Sequence, residues 1–183
     1  MQFSDGMLLG PSGLPLILVF LSFLEHAVAN VLQKAFINGS TSDSLLDPID
    51  GFLGSFKSRC DVAYCLGLIT TRDKKDLETL AQIRNMVAHS VQDAEPFSRE
   101  DVRELCDGLD PDVYLASGSW DEAMKEIEAV SPPQFASIER PEYRMRFAGV
   151  AVALIEVLDA VHSRTTTPIS AAPIKLNPNG TPA

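Results

Sequence analysis

The chain has 183 residues, 45% hydrophobic and 22% charged, with 15 basic side chains against 25 acidic ones and a formal charge of −10. This is globular composition, long enough to bury a sizeable core in one domain. It argues against a tight, unassisted nucleic-acid binder, whose affinity rests on Lys and Arg displacing counterions from phosphates. The acid is concentrated: residues 100–139 carry two basic and eleven acidic side chains, whereas residues 51–99 carry seven and six.

In chain order, the first feature is an uncharged apolar run from Leu14 to Leu24 followed by Ala27-Val28-Ala29, which imitates a signal peptide with its cleavage site. No Lys or Arg precedes Lys34, Asp5 stands where a basic region belongs, and Glu25 and His26 interrupt the approach to the cut. Gly10, Pro11, Gly13 and Pro15 punctuate the run, leaving it short of the ~20 residues of a membrane span. The expectation is therefore a buried helix and no membrane association. With Pro15 in the first turn, the apolar pattern runs from Leu16 through Ile37 and ends at Asn38-Gly39-Ser40.

The Ser, Asp and Pro content of residues 40–51 predicts a loop, and a second helix follows over Gly54–Leu66 with a corner at Gly67. Thr70 and Asp73 resemble a capping box for a third helix over Asp73–Ala88, apolar along Leu77, Leu80, Ile83 and Val87. Ser98 is placed to cap a short helix through Leu105, and Trp120–Val130 predicts another, ended by Ser131-Pro132-Pro133. Pro141 opens a final long helix reaching His162. No strand alternation occurs. The fold class expected is all-α, a compact multi-helix bundle over residues 1–164 with long N- and C-terminal helices. Residues 165–183, with four prolines and a Thr run, predict a disordered tail.

Cys60, Cys65 and Cys106 form no paired spacing and leave an odd count, and His26, His89 and His162 are scattered. Neither a disulfide framework nor a metal or other cofactor is expected, and a reducing cytoplasm fits best.

The chemistry-bearing residues gather at the end of the third helix, in Arg84-Asn85-Met86-Val87-Ala88-His89. Arginine stabilises phosphates, and histidine moves protons near neutral pH. On one helix Arg84 and His89 diverge by roughly 140°, while Asn85 and His89 are nearly aligned. A composite site then requires a bend or a second copy across a homodimer. The alternative is structural: Arg84 pairs with a partly buried carboxylate and His89 sits at a helix C-terminus, which favours its cationic form. Arg72, Lys74 and Lys75 read as a solvated face beside Asp73 and Asp76. Arg140 and Arg144 share a helix face with an anion-binding reading, and Tyr64 and Trp120 read as packing residues.

The strings Gly54-Ser55-Phe56-Lys57-Ser58-Arg59, Ala63-Tyr64-Cys65-Leu66-Gly67-Leu68-Ile69, Asp76-Leu77-Glu78 and Ile83 to His89 resemble, in order and spacing, the mannitol operon repressor family. Arg144-Met145-Arg146-Phe147 extends the resemblance, which covers residues 10–164. It implies an all-helical bacterial transcriptional regulator without a recognised DNA-binding motif, working through a regulatory protein partner or weak DNA contacts. The binding surface it implies is Arg59, Tyr64, Arg84, Asn85, His89 and Arg144. The Arg-Asn-x-x-Ala-His string also resembles the Arg-x4-His motif of the HEPN superfamily, which includes metal-independent endoribonucleases built from two protomers. That resemblance implies RNA as substrate, His89 as general acid or base toward a ribose 2'-hydroxyl, Arg84 on the phosphorane and Asn85 orienting either.

Overall fold

A computed structural model describes residues 12–88, 95–130, 138 and 141–166. Among them the chain forms α1 (Leu14–Ala35), α2 (Ser40–Leu46), α3 (Phe56–Cys65), α4 (Thr71–Ala88), α5 (Glu100–Asp107), α6 (Trp120–Val130) and α7 (Pro141–Arg164). Short 3-10 turns lie at Pro96–Ser98 and Pro111–Tyr114. The fold is all-α, with no strand among the described residues.

Helix α1 is the axis. It packs along α7 and also touches α2, α3 and α4, while α4 reaches α3, α5 and α7. By length and composition α1 would suffice to cross a membrane, because Pro15 sits in its first turn and does not interrupt it. In the bundle, however, Leu16, Ile17, Phe20, Leu24, Val28, Val31 and Leu32 are all fully buried against the other helices. That is the behaviour of a helix apolar on most sides placed in a core.

Helices α1 and α7 run parallel. At their starts, the Gly13 amide and the Arg144 guanidinium converge on Glu95, and Phe20 meets Phe147 edge-on with ring centroids 6.5 Å apart. At their ends, Lys34 Nζ donates to the His162 carbonyl at 2.6 Å. One lysine thus offsets the partial negative charge at the C-termini of two side-by-side helices.

The caps explain where the helices stop. The Thr70–Asp73 box forms as expected: Asp73 N–H donates to Thr70 Oγ1 at 3.1 Å, and Asp73 Oδ2 accepts from Thr70 N–H at 2.8 Å and from Thr70 Oγ1 at 2.7 Å. Gly67, at φ 69°, takes the left-handed conformation that closes α3.

Several boundaries differ from the reading of the sequence, most by one or two residues. Residues 40–46 are helical, not loop, because Leu46 is buried and the Ser42 hydroxyl folds back onto the Ile37 and Gly39 carbonyls at 2.6 and 2.9 Å. Helix α3 begins at Phe56, since Ser55 caps it by accepting from Ser58 N–H at 3.1 Å. Ser98 caps nothing: Glu95 opens the 3-10 turn, and Arg99 occupies the cap position of α5. Helix α1 ends at Ala35, before Asn38-Gly39-Ser40, because Phe36 is already extended. Ser131-Pro132-Pro133 and the tail beyond residue 166 lie outside the described residues.

Candidate functional site

The buried stripe of α4, formed by Leu77, Leu80, Ile83 and Val87, is the one read from its periodicity, and it fixes which side chains look outward. Asn85 is exposed and Arg84 is half-buried at the stripe's edge. Both line an open groove of about 770 Å³ between the start of α3 and the C-terminal half of α4. Phe56, Ala81 and Met86 supply its apolar walls, with Ser55, Lys57, Lys74, Glu78 and Gln82 completing the lining.

Every cation among the described residues lining this groove already has an anion. Arg84 pairs with Glu25 of α1, both side chains about one-third exposed. Lys57 bridges Asp61 at 3.0 Å and Glu78 at 3.3 Å, and Lys74 bridges the same two carboxylates at 3.0 and 2.9 Å. The result is a four-membered ring of alternating charge across α3 and α4. Hydrogen bonds from Lys74, then Lys57, hold both the Asp61 and Glu78 carboxyls below the ordinary carboxylate range. Hydrogen bonds to the two carboxylates hold both ammonium groups above the ordinary lysine range.

The other residues expected at a binding surface divide. Arg59 is buried, and its guanidinium donates to the Leu53 carbonyl at 2.7 Å and the Leu46 carbonyl at 2.8 Å. It is a clamp on the loop between α2 and α3, with no face toward solvent. Arg144 is also buried, at 1% exposure, and pairs with Glu95, which accepts the Gly13 amide at 3.1 Å as well. Neither arginine is available to an external ligand. Tyr64, expected to pack, is exposed, with its hydroxyl 3.4 Å from Thr71 Oγ1. Trp120 does pack, against the Gly149 backbone. His89 and Arg140 lie outside the described residues. The structure therefore brings Arg84 and Asn85 together and separates them from Arg59 and Arg144.

Of the Arg72, Lys74 and Lys75 cluster, only Lys75 is exposed. Arg72 Nε donates to Asp76 at 2.7 Å, and the Tyr114 hydroxyl donates to the same oxygen at 2.9 Å. Asp76 is fully buried, and burial first, then this hydrogen bond, pushes the Tyr114 hydroxyl above its usual range. The (i, i+4) spacing of Lys57 with Asp61 and of Lys74 with Glu78 was a readable signal for the charged ring. The cross-helix bridges, and Glu25 as partner of Arg84, had none. Among the described residues no group of three or more His, Cys, Asp or Glu side chains is arranged to hold a metal ion.

No family model matches the chain, and no curated protein or solved structure is significantly similar to it.

Proposed function

We propose that the protein is a transcriptional regulator of the mannitol operon repressor kind that acts through a protein partner, held in the groove between α3 and α4. The observation that supports this reading is the saturation of Lys57, Lys74 and Arg84 by carboxylates of the same chain. A phosphate backbone would have to displace those carboxylates before gaining any contact. A peptide segment would not. Phe56, Ala81 and Met86 offer apolar surface to its side chains, and Gln82 and Asn85 offer amides to its backbone.

The ribonuclease reading retains one favourable observation, that Arg84 and Asn85 open on the same groove. It requires Arg84 to leave Glu25. One experiment separates the two. A strain lacking the protein is complemented with wild type, with Met86→Glu, or with His89→Ala, and operon transcripts are measured beside RNA incubations containing chelator. The regulatory reading expects transcript control restored by wild type and lost in Met86→Glu, with no RNA cleavage. Cleavage leaving 2',3'-cyclic phosphate and abolished by His89→Ala would overturn it.

A further inference from the structure

The chain between α2 and α3 makes a tight turn that carries two large apolar side chains into solvent. Ile49 is 87% exposed and Phe52 86%, well beyond any other large apolar residue among those described. The turn is rigid. Asp47 Oδ1 accepts the Ile49 and Asp50 amides, each at 2.9 Å, the Asp47 carbonyl accepts the Gly51 amide at 3.1 Å, and Leu53 N–H donates back to the Leu45 carbonyl at 2.8 Å. The Arg59 guanidinium fastens the Leu46 and Leu53 carbonyls at its two ends. A partner therefore gains Ile49 and Phe52 without first ordering the backbone that carries them.

An apolar groove of about 610 Å³ opens at the start of α2, walled by Ala35, Phe36, Ile37 and Leu45. Ile37 and Leu45 stand 49% and 37% exposed, and the buried Ser42 fixes the groove's corner by donating its hydroxyl to the Ile37 carbonyl at 2.6 Å. Leu45 belongs to both features, since it walls the groove and its carbonyl anchors the turn. The seven residues of α2 span about 10 Å, so turn and groove sit at the two ends of one short helix. A twofold axis across that helix sets the α2 helices of two copies antiparallel and brings each copy's turn to the other's groove.

We infer that this face is a homodimer interface, with Ile49 and Phe52 of each copy seated in the α1–α2 groove of the other. Area is what points to a second copy. At about 200 Å² for a fully exposed aromatic side chain and somewhat less for an aliphatic one, Ile37, Leu45, Ile49 and Phe52 present on the order of 450 Å² per copy. Two copies present roughly 900 Å², and the flanking Asn38, Thr41 and Pro48 bring the contact to the ~1,200 Å² at which specific interfaces begin. A ligand confined to the groove leaves Ile49 and Phe52 in water, whereas a second copy covers both features at once. Asp43, Asp47 and Asp50 are exposed along the same stretch and repel across the contact, so apolar area holds the pair together and salt should tighten it. The face shares no lining residue with the α3–α4 groove and is independent of the regulatory reading.

The test is sedimentation equilibrium of the full chain at micromolar concentrations, in low and in high salt. A reversible monomer–dimer equilibrium is expected, weakened about tenfold or more in Ile49→Asp/Phe52→Asp, which puts charges into an apolar contact. The helical circular dichroism should not change, because both side chains stand in water in the single chain. Leu45→Lys should weaken association likewise. Mixing the two variants should restore it, because the mixed dimer keeps one intact contact and sets aspartates against lysine in the other. A chain that stays monomeric, a dimer indifferent to these substitutions or loosened by salt, or variants that fail to complement each other overturns the inference. So does growth into longer species, which marks a head-to-tail contact in place of a closed pair.

Discussion

Arg144 and Glu95 tie three separate parts of the chain: the start of α1, the 3-10 turn and the start of α7. Removing one member leaves the other charge buried, so Arg144→Ala should cost about 3–5 kcal/mol in urea unfolding, while Arg144→Met with Glu95→Leu should recover much of it. The charged ring behaves differently because it faces water. Its carboxyls titrate below their ordinary range in the folded protein, so their stabilisation is complete above the unfolded pKa of ~4 and disappears as pH falls through the lowered values. In NMR titrations Asp61 and Glu78 should stay ionised to lower pH than ordinary carboxyls, and Lys74→Ala should move both upward. Among the thiols, burial pushes Cys60 and Cys106 up to about 12, whereas Cys65 is exposed. A thiol reagent at pH 8 should therefore label Cys65 at once and the other two only on unfolding. Residue roles were the least legible level. Arg59 and Arg144 look like ligand-binding arginines in the sequence, because one-dimensional spacing carries no record of burial or of the carbonyls and carboxylate that receive them.

Helices were far easier to read. Helix α4 announces itself through Thr70, Asp73 and four apolar positions, and α6 and the start of α7 also fall where the sequence places them. Replacing Asp73 by Ala removes the two hydrogen bonds that its carboxylate accepts from Thr70 and should cost about 1–2 kcal/mol by denaturant titration. Helix α2 was missed because its Ser, Thr and Asp residues bond to nearby backbone in either state, and only the burial of Leu46 decides between them. The contact of Trp120 with Gly149 leaves no trace in the sequence. A Cβ on Gly149 would lie 2.6 Å from the indole ring, so Gly149→Leu should displace the chain's only tryptophan and red-shift its emission.

At the scale of the molecule, the α3–α4 groove was half visible. Arg84 and Asn85 were found from their chemistry, but the ring that neutralises their neighbours joins residues of two helices and needs the fold. Nor could periodicity show that the two long helices run in the same direction. Phe20 and Phe147 meet across more than a hundred intervening residues, so the central contact closes a very long loop. Refolding measured by stopped flow should be slower than for antiparallel helical bundles of similar length, whose contacts are mostly local.

The parallel course of α1 and α7 also decides what can be attached to the protein. Helices of 22 and 24 residues span about 33 and 36 Å. The chain therefore enters the bundle at one pole and leaves it at the other. A label fused upstream of α1 and a label fused downstream of α7 will stand on opposite ends of the molecule. A circularly permuted version will need a joining segment long enough to travel the full height of the bundle.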